Sequence, residues 1–443
     1  MKHKSTRISR RRFITTAAVA IALPTIVPSS IFGQNSPSKR INVGVIGWGM
    51  QGPQDTGNFA YEKDCRVVAA CDIDKTHLKK AVDTINDFYQ NKDCAAYSDY
   101  RELLAQKDID AVMIAVPDHW HALVYTEAAR QKKDIYGEKP LAKTIAEQQA
   151  IVRAVEANNV IFQTGSQRRS SATFRRGAEI VRNGLIGKIK SVEVGLLNDH
   201  IDFLQMNNGQ TPSYVVGTPP PELDYDKWVG PSTMVPYIQG RVHTNWRWNY
   251  NTGGGMLMDW IGHFCDIAHW GMDCDRSGPT EIEGKAEFPP ADDVFNTSPT
   301  FRIELKYPQD ISMVISSGDQ EIQNESTKWI GTDGWVKVSG DGRFQSSNPD
   351  WKVNKDLPDD LRKVKLYASP GHVRNFLDCV KSRTPTVAPV QTGHHSAIPG
   401  HLGYIATRTG RKIKWDSEKE EIIGDPDASK LLTREYRAPW KLS

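Results

Sequence analysis

Cysteine is scarce: six residues, at 65, 71, 94, 265, 274 and 379, are scattered over 443 positions with no C-x-x-C pair among them. That excludes a disulfide-stapled scaffold and leaves no zinc-ligand spacing. They read as buried thiols, with a Cys265–Cys274 bridge the one pairing left open. An excess of one charge is also missing, since 56 Lys and Arg face 53 Asp and Glu. The slight basic balance comes from residues 1–33, which hold Lys2, Lys4, Arg7, Arg10, Arg11 and Arg12 and no acid, so the remainder is weakly acidic. No nucleic-acid footprint follows from that distribution. Neither an internal repeat nor a low-complexity tract interrupts the chain. With 39% hydrophobic residues and 12 Trp, 14 Tyr and 13 Phe, a packed fold of two or three domains is expected.

A long apolar run is likewise absent. Residues 13–27 are uncharged and mildly apolar, but they include threonines and Pro24 and fall short of the roughly 20 residues that cross a bilayer. Preceded by Arg10-Arg11-Arg12-Phe13 and followed by Pro28, Ser29 and Ser30, the run has the order of an export signal. The arginine pair resembles a twin-arginine signal, whose pathway exports folded proteins. Residues 1–33 are therefore expected to be such a signal. The export machinery is then a partner and the periplasm or another exported location the destination; an uncleaved anchor or an amphipathic arm is the other reading.

The folded part opens on Ile41–Ile46, an apolar run of strand type, which leads into Gly47-Trp48-Gly49-Met50-Gln51-Gly52. In this G-x-G-x-x-G turn the first glycine permits the bend, the second lets backbone approach a pyrophosphate, and the third packs the next helix closely. Pro53 suits a first helical turn. A second strand, Arg66–Asp72, ends in an acid 20 residues after Gly52, where a carboxylate can bind the adenosine ribose hydroxyls. Asp72 would repel a 2′-phosphate, which places NAD ahead of NADP, with Lys75 the nearby cation that favours the latter. Strands at 111–116 and 134–137 alternate with helical stretches and continue the rhythm of a parallel sheet.

Three further stretches complete a pattern: Pro117-Asp118-His119-Trp120-His121, Glu138-Lys139-Pro140, and the run from Gly253 to Asp266. Together they resemble the Gfo/Idh/MocA family, that of glucose-fructose oxidoreductase and inositol dehydrogenase, from about residue 39 onward. The resemblance implies an α/β fold with an NAD-binding Rossmann domain at 39–165. A substrate-binding and oligomerisation domain at 166–443, built on a large, mostly antiparallel open sheet, is implied to follow. It also implies a catalytic role for Lys139, a cis bond before Pro140, and a cofactor side lined by Pro117, His121 and Glu138; His119 is less securely placed.

Residue chemistry points the same way. Asp259 and His263 are four apart, so a helix beginning near Met256 projects both from one face. Oxidation of an alcohol needs a base at the hydroxyl, and an imidazole suits that task near neutrality. His263 is assigned that role, with Asp259 orienting substrate or sharing the proton, and Lys139 hydrogen-bonding the reacting oxygen. No metal is called for. In the insertion from about 198 to 251, Trp246, Trp248 and Tyr250 interleave with His243 and Arg247. Aromatic faces stack on sugars and Arg donors read hydroxyls, so Gln167, Arg168, Trp246 and Arg247 are substrate-pocket candidates, although loop packing explains the aromatics equally well. Alternation in Phe301–Tyr307 predicts a sheet with one free face, which in the family serves homo-oligomerisation. Helical spacing appears at Val373, Phe376, Leu377 and Val380 and at Ile398, Leu402 and Ile405, while His394 and His395 read as structural.

An exported enzyme that oxidises a secondary hydroxyl of a sugar or glycoside with tightly held NAD is the function these readings predict. A redox-assisted glycosidase or lyase and a non-catalytic sugar-binding relative are the alternatives.

Overall fold

The computed structural model describes residues 40–197, 213–290, 292–354 and 357–442; the predicted export signal lies outside them. Alternating strands and helices open the described chain: β1 (Ile41–Ile46), α1 (Gly52–Ala60), β2 (Cys65–Cys71), α2 (Lys75–Tyr89), β3 (Ala95–Tyr97), α3 (Tyr100–Leu104), β4 (Ala111–Ile114), α4 (Asp118–Arg130), β5 (Asp134–Gly137), α5 (Ile145–Asn158) and β6 (Phe162–Thr164). The six strands pair in the order β3-β2-β1-β4-β5-β6, every pairing parallel. Such a sheet is covered on both faces, which is why β4 and β5 are buried at every position. Strand order reverses between β1 and β4, and a crevice opens there at the carboxyl ends.

The second part comprises α6 (Ala172–Arg182), β7 (Ile189–Leu196), α7 (Tyr225–Val229), α8 (Gly255–Met272), β8 (Glu281–Glu287), β9 (Thr300–Tyr307), β10 (Ile311–Ser317), β11 (Ser326–Gly331), β12 (Trp335–Ser339), β13 (Phe344–Ser346), α9 (His372–Ser382), α10 (Val390–Thr409), β14 (Ile413–Asp416), β15 (Glu421–Ile422) and α11 (Pro426–Ser429). Its nine strands run β13-β12-β11-β7-β10-β9-β8-β14-β15, antiparallel except for β7 with β10. In β9 the predicted alternation is complete: Phe301, Ile303, Leu305 and Tyr307 are buried, while Arg302, Glu304 and Lys306 face water. The apolar face packs on α8 and α10 with Phe264, Ile267, Ile398, Leu402 and Ile405 in one core.

Sequence order and packing part company at α9. Val373, Phe376 and Leu377 pack with Phe59 and Tyr136 of the first domain, and Tyr436, Trp440 and Leu442 return to its other face. The apolar face of α9 matched the first domain's exposed flank, a partnership that spacing along one helix cannot reveal. All six cysteines are free thiols, Cys265 and Cys274 included.

Beneath α8 lies a buried ion cluster. Arg169 donates from Nε to both Asp266 oxygens at 3.0 and 2.8 Å and holds Asp275 with its terminal nitrogens at 2.9 and 2.7 Å. Burial pushes the Asp266 carboxyl up to about 6, against the opposing charge of Arg169. Removing the cation strands an uncompensated buried carboxylate. Arg169→Ala is expected to cost about 3–5 kcal/mol, read as a lower denaturant midpoint; an unshifted midpoint would show the cluster to be neutral.

Candidate active site

The glycine turn after β1 has the geometry a dinucleotide needs. Gly47 sits at φ +94, and a Cβ there would lie 2.6 Å from the Ala115 carbonyl oxygen. At Gly49 a Cβ would meet nothing within 4 Å, so space is kept open over the backbone just ahead of α1. Helix N-termini favour phosphate charge. The Gly52 site is closed, since a Cβ would be 2.2 Å from the Gly47 oxygen; this glycine packs the helix, as predicted, and does not line the crevice.

Asp72, one residue past β2, faces the crevice with its carboxylate fixed by two backbone amides. Trp48 N–H donates to Oδ2 at 2.7 Å and Asp74 N–H to Oδ1 at 2.9 Å. Each oxygen retains a lone pair for a ribose hydroxyl. Gly47, Trp48, Gly49, Met50, Gln51, Asp72, Pro117 and Glu138 all line the same crevice. The same crevice is lined by Lys139, Gln167, Trp246, Arg247, Asp259 and His263. The open backbone at Gly49 and the oriented carboxylate of Asp72 fit an NAD molecule spanning it. Asp72→Ala is expected to weaken NAD binding at least tenfold, because hydrogen bonds to a charged acceptor are worth about 1.5–3 kcal/mol each. Calorimetry on cofactor-stripped protein checks this, and unchanged affinity would place the ribose elsewhere.

Helix α8 presents Asp259 and His263 to the crevice one turn apart, as their spacing predicts. Lys139 Nζ donates to the Asp259 carbonyl at 2.9 Å and to its Oδ1 at 3.2 Å, and Arg247 Nε reaches the same Oδ1 at 3.0 Å. Burial opposes ionisation of Asp259, yet Lys139 and Arg247 outweigh it and hold the carboxyl well below the usual range. A carboxylate clamped by two cations is a fixed anchor for Lys139 and Arg247. It does not trade protons near neutrality, which corrects the relay role considered for it. His263 differs. Burial, with the Lys139 and Arg168 charges, keeps its imidazole neutral far below its ordinary value, and Nδ1 has no partner among the described residues.

Other predicted residues stand further back. His121 is buried behind the crevice with Nδ1 2.7 Å from the Pro140 carbonyl and Nε2 2.9 Å from that of Val116. It ties the carbonyl of Pro140, next to Lys139, to the segment just past β4 and does not line the cofactor space. Arg168 lies 4.4 Å over the Phe264 ring and is absent from the crevice wall. Its apolar stem and planar cation found an aromatic face, so it acts on His263 only through charge. Trp248 is fully buried in the core, and Tyr250 packs against Tyr404 with ring centroids 4.4 Å apart. Of the aromatic cluster Trp246 alone faces the crevice, with Arg247 stacked 4.4 Å over its ring.

Charged groups that the sequence reading passed over complete the site. Asp118, the first residue of α4, lines the crevice with Oδ1 buried and unpartnered. Burial, reinforced by Asp259, pushes its carboxyl up to about 7 against Arg247, Lys143 and Lys139. Lys143 donates to the Gly253 carbonyl at 2.6 Å, and burial draws it down to about 8. Glu138 accepts from Gln167 Nε2 at 2.9 Å and sits beside the buried Asp55, and burial together with their mutual charge raises the Asp55 carboxyl well above the usual range. Asp118 stood inside a quoted motif, but only its burial distinguishes it.

The insertion straps the crevice. Leu223 bridges to Asp74 in antiparallel fashion, and Lys75 N–H donates to the Glu222 carbonyl at 2.9 Å. His119 ties the same region down, with Nε2 2.9 Å from the Trp228 carbonyl and Nδ1 3.2 Å from that of Thr252.

Comparison with known proteins decides the family. Residues 41–166 match the oxidoreductase family's NAD-binding Rossmann fold, and residues 171–442 its C-terminal alpha/beta domain. The chain belongs to the Gfo/Idh/MocA oxidoreductase family. Its first domain is accordingly of the NAD-binding Rossmann type. Myo-inositol 2-dehydrogenase of Thermotoga maritima is 28% identical over 148 residues, 33% of this chain and 42% of that one. Glycosyl hydrolase family 109 protein 2 of Shewanella sp. (strain ANA-3) is 29% identical over 206 residues, 42% and 44% of the two chains. The chain thus spans under half the length of these curated relatives. In fold it is similar to the WlbA dehydrogenase from Bordetella pertussis, solved with NADH and UDP-GlcNAcA, at TM-score 0.62 and 19% identity over 85% of this chain and 99% of that one.

Proposed function

We propose that this Gfo/Idh/MocA protein is an exported, NAD-dependent oxidoreductase that oxidises a secondary hydroxyl of a sugar or glycoside. One observation carries the reading: Lys139 and the neutral His263 line a single crevice with Trp246 and Arg247 beside them. Bound nicotinamide supplies the two-electron acceptor for the carbon-bound hydrogen. Lys139, held by Asp259, donates a hydrogen bond to the alcohol oxygen and stabilises its developing negative charge. His263 receives the hydroxyl proton on a ring nitrogen, which its neutral state allows. Trp246 offers a face to the sugar ring and Arg247 a donor to its hydroxyls.

Export rests on residues 10–33, and it changes the cycle. An enzyme that leaves the cytoplasm with its cofactor must return that cofactor to its starting state at each turnover. The strap at residues 222–224 favours retention. A retained cofactor suits either oxidation of one sugar coupled to reduction of another, or transient oxidation of a glycoside that acidifies a neighbouring C–H bond and expels the aglycone. The second route is favoured by the family 109 relative and, in this chain, by Asp118, which can carry a proton near neutrality. We further propose that the polar face of the nine-stranded sheet serves a homo-oligomer.

The test is the mature protein purified without added nucleotide, incubated with a panel of glycosides and free sugars while reduced-nicotinamide absorbance and products are followed. Co-purified nucleotide with product formed and no net reduction supports the closed cycle. Protein free of nucleotide that consumes added NAD mole for mole overturns it, and inactivity on the whole panel with NAD bound overturns the sugar assignment.

A further inference from the structure

Two groups of metal-type ligands occur among the described residues, and they differ in one respect. In the first, of His394, His395 and Glu420, two ligands are already engaged: His394 lies 3.0 Å from Gln148 Oε1 and 2.7 Å from Glu420 Oε1, while Glu420 Oε2 accepts from Gln149 at 2.8 Å. A buried hydrogen-bond network accounts for His394 and Glu420, the acid any ion there would need. The second group, Asp74, His77 and His243, has no such explanation. Neither imidazole makes a hydrogen bond to a described residue. Their nearest acidic neighbours sit at wider separations: His243 Nε2 is 3.6 Å from Asp74 Oδ2, and His77 Nδ1 is 3.8 Å from Asp72 Oδ2. The two rings are 4.7 Å apart, and the three candidate ligand atoms all lie within 4.8 Å of one another.

A separation of 3.6 Å is long for a hydrogen bond but close to the roughly 3.4 Å between two ligands at 2.0–2.1 Å on one tetrahedral ion. Asp74 is set for one-oxygen ligation, because its Oδ1 caps α2 by accepting from Thr76 and His77 amides at 2.8 and 3.2 Å, leaving Oδ2 toward His243. His243 is held at φ +55, a left-handed conformation that costs a residue with a Cβ about 1–2 kcal/mol and directs the ring across the crevice to Asp74.

We propose that Asp74, His77 and His243 form a binding site for one divalent transition-metal ion of the zinc class, which pins the insertion to the first domain at the ribose end of the crevice. Two imidazoles and one carboxylate are the donor set of that class. Asp74 and His77 belong to the β2–α2 connection and helix α2, whereas His243 belongs to the segment that straps the crevice, so the ion cross-links the mouth through which the cofactor passes. The site rests on the NAD-binding reading of the first domain and is independent of the sugar assignment.

The experiment uses the full holoenzyme, treated with chelator and then titrated with Co²⁺ as a spectroscopic probe and with Zn²⁺ as the competing ion. One equivalent of Co²⁺ with visible absorption of a low-symmetry nitrogen and oxygen site, displaced by Zn²⁺, is expected. His243→Ala and His77→Ala should each weaken binding at least a hundredfold, and Glu420→Gln, in the other cluster, should leave it unchanged. Zn²⁺ should slow NAD release at least tenfold in the parent protein and not in His243→Ala. Absence of saturable Co²⁺ binding at micromolar free ion overturns the site. Binding that survives His243→Ala, or is lost in Glu420→Gln, overturns the assignment of ligands, and metal binding without slower NAD release overturns the pinning.

Discussion

Lys139→Ala is expected to lower kcat about 10³-fold while NAD stays bound. In the proposed mechanism the Lys139 ammonium hydrogen-bonds the reacting oxygen, and it is anchored to both the carbonyl and the carboxylate of Asp259. Loss of one donor at a developing negative charge costs roughly 10²–10³ in rate, and removing the cation also leaves Asp259 with Arg247 as its remaining hydrogen-bonding cation. His263→Asn is expected to cost 10²–10⁴-fold, the usual worth of a positioned base. Since both groups act on one oxygen, the double variant should lose far less than the product of the two effects. Multiplicative losses would mean that they serve separate events, and unchanged turnover in either variant would sink the catalytic reading. Single-turnover reduction of the bound nicotinamide isolates the step. Thermal unfolding of each variant separates lost chemistry from lost structure.

Acidification is expected to unfold this protein well before its carboxylates would ordinarily titrate. Burial draws His119, His269 and His401 down to about 3 and His121 and His372 to about 4; His263 is lowered too. Below about pH 6.5 the unfolded chain takes up protons at these imidazoles while the folded chain refuses them, so stability falls with pH. Six carboxyls raised by burial oppose the trend. Asp55, Asp72, Asp134 and Glu138 are raised, Asp118 is pushed to about 7 and Asp266 to about 6, so the folded chain holds protons at such groups more readily than the unfolded chain does. With His243 and His395 also drawn down to about 4 by burial, eight imidazoles face six carboxyls, so unfolding takes up protons on balance. Each proton of net uptake costs about 1.4 kcal/mol per pH unit, so stability falls between pH 6.5 and 5. Urea midpoints measured at half-unit intervals should fall steadily over that window. A midpoint flat from 6.5 to 5 would mean that these imidazoles charge without cost.

Legibility in the sequence followed the range of the interaction. The glycine turn, the acid ending β2 and the Asp259–His263 spacing are local features, set by strand and helix geometry within a few residues, and the structure retains all three. His121 and Arg168 failed for the opposite reason. Both sit beside functional residues in the sequence, but a buried ring and a stacked guanidinium were captured by carbonyls and an aromatic face contributed from elsewhere. Asp118 and His243 were in plain view as letters, yet residue type says nothing about a lost water shell or an unpaired oxygen.

By itself the sequence determined the two-part α/β architecture, the dinucleotide turn and the helix face that presents an acid and a base, because backbone periodicity and glycine sterics are short-range. Tertiary structure alone decided that Asp259 is clamped by two cations while His263 Nδ1 is left without a partner among the described residues, that α9 covers the first domain, and that a histidine of the insertion meets two residues of the β2–α2 region. Those outcomes depend on which charges burial brings within a few ångströms of one another, and chains distant in sequence settle that only when they pack.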